Sequence, residues 1–125
     1  MHAIFDIACN FTSERFDGDL EEIINRAIKN NVTKFGLICS RVKDFPRLIN
    51  IYNNFSDSMR FTIGVHPHHA NEFNNEYLLQ LQNLIKDNPP HAIGETGLDF
   101  FRNLSSYDEQ ILSLIHISEP TRLTR

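Results

Sequence analysis

The sequence predicts an α/β protein built from successive parallel βα units. Short apolar runs alternate with amphipathic helical stripes, and residues able to do chemistry follow the end of each run. The runs begin about thirty residues apart, and an eight-stranded (β/α) barrel of ~250 residues spends about 31 per unit. An open flavodoxin-like sheet has the same rhythm, so the period alone leaves both architectures open.

The first run, residues 3–8, is apolar apart from Asp6 and suits a buried strand. Leu20, Ile23, Ile24, Ala27 and Ile28 then form one helical stripe, with Asp17 or Asp19 placed to cap it and Asn30 and Asn31 at its end. Residues 35–39 are the second run. Phe45, Leu48, Ile49, Tyr52 and Phe55 give the second stripe, with Pro46 tolerated in its first turn. A third run, residues 61–65, leads directly into His66-Pro67-His68-His69. The next helix carries Tyr77, Leu78, Leu81, Leu84 and Ile85, and Pro89-Pro90 stops it. A short fourth strand is expected at residues 91–94, and a fourth helix from Asp108-Glu109-Gln110.

From Leu112 onward the chain resembles the in-frame translation of a transposon-end sequencing adapter. Residues 112–125 are therefore read as a non-native tail that interrupts the fourth helix, and residues 1–111 as a partial barrel.

Composition narrows the class. The 125 residues are 41% hydrophobic and 22% charged, which fits one globular domain rather than a disordered or fibrous chain. No apolar run approaches the ~20 residues of a membrane span, and the start lacks the layout of a signal peptide. Cys9 and Cys39 are isolated from each other in sequence, so plain buried thiols and a reducing, cytoplasmic setting are expected, or a nuclear one in a eukaryote. A net charge of −4 argues against a polybasic grip on nucleic acid, yet allows a phosphate held through metal ions.

In parallel α/β folds chemistry gathers at the carboxyl ends of the strands. Here those ends carry Asp6 and Asn10, Ser40 and Arg41, His66 and His68, and Glu95 and Asp99. Imidazoles and carboxylates are the ligands of hydrolytic divalent-metal sites. Glu95, set between Gly94 and Gly97, is the strongest candidate, because a carboxylate leaving a short buried strand is costly unless paired or metal-bound. His69 is expected to face solvent, since neighbours on extended backbone point opposite ways.

Three blocks in this order then carry a family resemblance. Phe5-Asp6-Ile7-Ala8-Cys9-Asn10-Phe11-Thr12-Ser13, Gly64-Val65-His66-Pro67-His68 and Ile93-Gly94-Glu95-Thr96-Gly97-Leu98-Asp99-Phe100 together resemble the TatD family of metal-dependent deoxyribonucleases. The likeness runs from about Ile4 to Gln110. It implies the N-terminal half of a TIM-like (β/α)8 barrel, related to amidohydrolases, that uses two divalent ions, Mg²⁺ by expectation, to cleave DNA as a 3′-exonuclease. By the same resemblance Glu95 binds the metals and His66 is a catalytic histidine; the strand-end reading adds Asp6, Asn10, His68 and Asp99 as candidate contacts at the mouth. Ala8 and Asn10 stand where many relatives carry first-strand histidines. The family's later metal-binding histidines and catalytic aspartate belong to strands this chain does not contain.

The implied partner is DNA, met through phosphate–metal contacts, with no membrane. The alternatives are another amidohydrolase-like hydrolase of a small ester or amide, and a non-enzymatic fragment or small α/β module. Alone, the chain is expected to be neither a stable monomer nor an active nuclease. Its first and fourth strands are unpaired edges, and Ile4, Phe35, Ile38, Ile63 and Ile93 would face a missing half of the core.

Overall fold

Apolar runs flanked by polar turns become strands, and the stripes between them become helices that cover one face of the sheet. In order these are β1 (Ile4–Cys9), α1 (Leu20–Lys29), β2 (Val32–Leu37), α2 (Phe45–Asn54), β3 (Met59–Ile63), α3 (Asn75–Asp87), β4 (Ala92–Ile93) and α4 (Tyr107–Ser118). The computed structural model describes residues 2–118, and the expected tail from residue 119 onward lies outside the described residues.

The four strands pair in chain order, β1-β2-β3-β4, and every pairing is parallel. Each connection is thus a crossover through a helix, the topology of four successive units of a (β/α)8 barrel. The fold expected from the sequence is the fold observed.

Local sequence accounts for the boundaries. Asn74 caps α3 by accepting the Tyr77 N–H at 2.9 Å, and Pro46 sits in the first turn of α2. Between β3 and α3 a 3-10 turn, Pro67–Glu72, replaces extended backbone. β4 is only two residues long, and His91 just ahead of it is tied to β3: its N–H donates to Phe61 O at 2.9 Å and its Nδ1 accepts the Phe61 N–H at 3.2 Å.

The core lies between the sheet and its helices. Phe35, Leu37, Met59, Phe61, Ile63 and Val65 pack there with Ile24 of α1, Leu48 of α2 and Leu81 of α3. Phe35 and Ile63, expected on the inward face, belong instead to this helix-covered side. Phe61, Ile63 and Val65 alternate with Thr62 and Gly64, and Phe35 and Leu37 flank Gly36, so the large apolar side chains share the face that the helices cover. Ile4 and Ile93 do lack cover, at 53% and 40% exposure, and Ile7 on β1 is 75% exposed. Cys9 and Cys39 are free, buried thiols, pushed up to about 12 and about 11 chiefly by burial.

The expected interruption of the fourth helix at Leu112 is not seen, because α4 runs on to Ser118. Gln110, Ser113 and Ile117 fall at helical spacing and are all buried. Among the described residues no helix is long and apolar enough to cross a membrane.

Candidate active site at the carboxyl ends of the strands

The 3-10 turn that follows β3 begins with His66 as its cap. His66 Nδ1 accepts the backbone N–H of His68 at 3.1 Å. That bond has a chemical consequence. Accepting at Nδ1 uses the lone pair there, so the neutral ring carries its proton on Nε2. Burial, the largest cause, holds the pKa of His66 below its ordinary value, which keeps the ring neutral at neutral pH. His66 therefore presents an Nε2–H donor.

His68, two residues on, packs edge-to-face on His66 with ring centres 4.3 Å apart. Its Nε2 lies 2.5 Å from Asp99 Oδ2. Asp99 in turn accepts the backbone N–H groups of Phe101 and Arg102, each at 3.0 Å, through Oδ1. The Arg102 N–H is the main cause, followed by His68, that holds this carboxyl down to about 2. His68 thus faces a carboxylate ionised throughout the physiological range.

Glu95 follows β4, and its Oε2 accepts the Ser40 hydroxyl at 3.0 Å from the end of β2. Its charge also acts on His66. Gly64, at the exit of β3, has no Cβ to hinder the approach of Glu95. Ser40, His66, His68, Glu95 and Asp99 are thereby gathered from three strand ends.

The two first-strand candidates keep to local partners. Asp6 is exposed, and its Oδ1 accepts the Ala8 N–H at 3.3 Å; it pairs with Phe35, three positions before β1 ends. Asn10 is exposed and accepts the Thr12 hydroxyl at 3.2 Å. His69 is half-buried rather than solvent-facing. The chain turns into 3-10 geometry at Pro67, so neighbours no longer alternate, and His69 Nδ1 lies 3.7 Å from Glu72 Oε1. Glu72 is also bound by Arg41, which ties the end of β2 to the histidine turn.

Sequence reasoning missed Gln110, read only as part of a helix start. Its buried side chain bonds to both main-chain polar groups of Asp99. A polar residue recurring on the apolar face of α4 was the available signal.

Among the described residues, no group of three or more His, Cys, Asp or Glu side chains is arranged to hold a metal ion. Glu95 offers one carboxylate, and His66 Nε2 carries a proton rather than a free lone pair. This span alone does not make up a metal centre, and no reaction step through an ion follows from it.

Four parallel βα units with a carboxylate–imidazole cluster at the carboxyl ends of their strands define half of a TIM-like (β/α)8 barrel with its chemistry at the usual face. Comparison with known proteins supplies the family. The chain belongs to the family described as TatD related DNase, which matches residues 5–120. It is 36% identical over 107 residues to the 3'-5' ssDNA/RNA exonuclease TatD of Pantoea ananatis, a match covering 86% of this chain and 41% of that protein. It is similar in structure to a TatD family hydrolase from Entamoeba histolytica, with a TM-score of 0.88, 27% identity, and coverage of 98% of this chain and 47% of that one. A TatD homologue from Escherichia coli K12, YJJV, gives a TM-score of 0.83 at 27% identity, over 91% of this chain and 44% of that one. The chain spans about two-fifths of the length of the curated relatives it matches.

Proposed function

We propose that this chain is the N-terminal half of a metal-dependent 3′-exonuclease that hydrolyses phosphodiesters at the ends of single-stranded DNA. The observation that carries the reading is the pairing of roles at the mouth. Glu95 is a carboxylate held by Ser40, and His66 beside it is a neutral ring with its proton on Nε2. Glu95 would be a metal ligand, and His66 would donate its Nε2–H to a phosphate oxygen as charge develops there. Bound divalent ions, Mg²⁺ by our reading, would lower the pKa of water and neutralise phosphoryl charge. The remaining ligands would come from strands beyond this span, so the 125-residue chain alone is inactive. Asp6 and Asn10 would line the first-strand side of the mouth, and His68 and Asp99 the third and fourth.

The ions, rather than basic side chains, would attract the backbone of the nucleic acid, which accords with a net charge of −4. We place the protein in the cytoplasm on the strength of its two buried free thiols. Residues 112–125 would be adapter-derived, with residues 112–118 accepted into α4 because they keep apolar residues at helical spacing.

The test uses the complete barrel and a 3′-labelled single strand. Glu95→Gln keeps the volume and deletes the charge, so it should cut the rate of end-directed cleavage by at least ~100-fold, the scale of a lost electrostatic element. Wild-type cleavage by that variant would refute the role given to Glu95.

A further inference from the structure

Between β4 and α4 the chain makes a long loop that two buried polar residues help to anchor. Ser105 is 3% exposed and Gln110, in the first turns of α4, is 1% exposed. The Gln110 amide spends its hydrogen-bonding capacity on this loop. Its Oε1 accepts the Asp99 N–H at 2.7 Å, and its Nε2 donates to Asp99 O at 3.1 Å and to Ser105 O at 2.8 Å. Ser105 then reaches the histidine turn, where its Oγ accepts the Asn71 N–H at 3.1 Å. That turn carries His68, whose Nε2 returns to Asp99. The hydrogen bonds close a ring: Gln110, Ser105, Asn71, His68, Asp99 and back to Gln110.

We infer that Gln110 is a positioning residue for the mouth, locking the β4–α4 loop against the histidine turn so that Asp99 meets His68 in one fixed geometry. The inference rests on the reading of the mouth as the active site. A buried amide needs partners, and an apolar residue of equal volume would fill the same space without that need. Here all three bonds go to two loop residues, and two of them grip the same residue, Asp99. Holding a residue by its own N–H and C=O fixes its backbone and hence the direction of its side chain. His68 Nε2 then meets Asp99 Oδ2 at one position. Gln110 thus sets how His68 is held through Asp99, without touching the imidazole.

The experiment needs no nuclease assay. In the complete barrel, the His68 Nε2–H bonded to Asp99 should give a downfield, slowly exchanging proton signal in NMR, and Asp99→Asn assigns it by weakening it. Gln110→Met keeps volume and removes every bond of the ring's centre. It should broaden or abolish that signal and speed exchange of the Asn71 amide by roughly tenfold, the scale of one lost hydrogen bond. A folded Gln110→Met chain with both signals unchanged would overturn the inference. A residue that merely filled the core would lower thermal stability and leave the imidazole signal alone. Should Gln110→Met fail to fold, Ser105→Ala, which removes only the link to Asn71, replaces it. The ring predicts faster Asn71 exchange and a weakened His68 signal there, and no change in either overturns it. Loss of the nuclease reading of Glu95 would leave these outcomes unaltered, so the two failures are distinguishable.

Discussion

Gly64 and Glu95 are packed backbone to backbone: a Cβ built on Gly64 would lie 2.5 Å from the Glu95 carbonyl oxygen and 2.8 Å from the Gly94 carbonyl carbon. Glycine at the exit of β3 is what lets the fourth strand bring its carboxylate beside the histidine turn.

Gly64→Ala should therefore act on the site as well as on stability. The obstacle is main chain, which cannot swing aside, so a cost of ~1–3 kcal/mol is expected, as for other overpacked positions. In the complete barrel, activity should fall more than the loss of folded protein explains, because Glu95 is displaced from Ser40. Thermal unfolding and a cleavage assay on the same sample check this. An alanine variant with native stability and rate would show that the contact is not needed.

The two sheet edges predict self-association of the isolated chain. Ile7 on β1 is 75% exposed and Ile93 on β4 is 40% exposed, each on a strand with one side unpaired. Sedimentation at micromolar concentration should show dimers or larger species. Ile7→Lys and Ile93→Lys should shift the distribution toward monomer, since an edge lysine opposes strand addition. A wild-type chain that stays monomeric would contradict the half-barrel account.

Acid should weaken the fold through the histidine turn. Burial lowers the pKa of His66 and of His69. Below the ordinary histidine value of ~6.5 the unfolded chain binds protons that the folded chain resists, so stability is lost as pH falls toward the folded-state values. Protonation of His66 also fills Nδ1 and breaks its bond from the His68 N–H. The melting temperature should drop between pH 7.5 and pH 5.5. In His66→Asn, whose side-chain oxygen can still cap the turn, the drop should be smaller. An identical drop in the two proteins would remove His66 as a source.

Much of this was legible in the sequence, for identifiable reasons. Each apolar run ended in polar residues, and the parallel topology turns such sequence-distant ends into neighbours. That is why His66, His68, Glu95 and Asp99 meet as expected. The faces of β2 and β3 were misread although the pattern was there: Phe35 and Ile63 alternate with Gly36, Thr62 and Gly64, which puts the large apolar side chains on the helix-covered face. His69 was misread because the spacing rule for strands was applied where Pro67 starts a 3-10 turn. Gln110 stayed hidden because a glutamine near a helix start reads as a surface residue, and only the loop folding back onto it reveals its partners. Asp6 and Asn10 were expected at the mouth, but Asp6 pairs with Phe35 three positions before β1 ends, and the bonds of both remain within β1 and the turn after it.

Glu95 is the carboxylate of this half proposed to hold a divalent ion. Titrating the complete barrel with Mn²⁺, and counting bound ions by electron paramagnetic resonance, tests that directly. The account predicts that Glu95→Gln, folded as judged by its unfolding transition, binds at least ~10-fold more weakly than wild type or loses an ion altogether. Equal affinity and equal stoichiometry in the two proteins would contradict it.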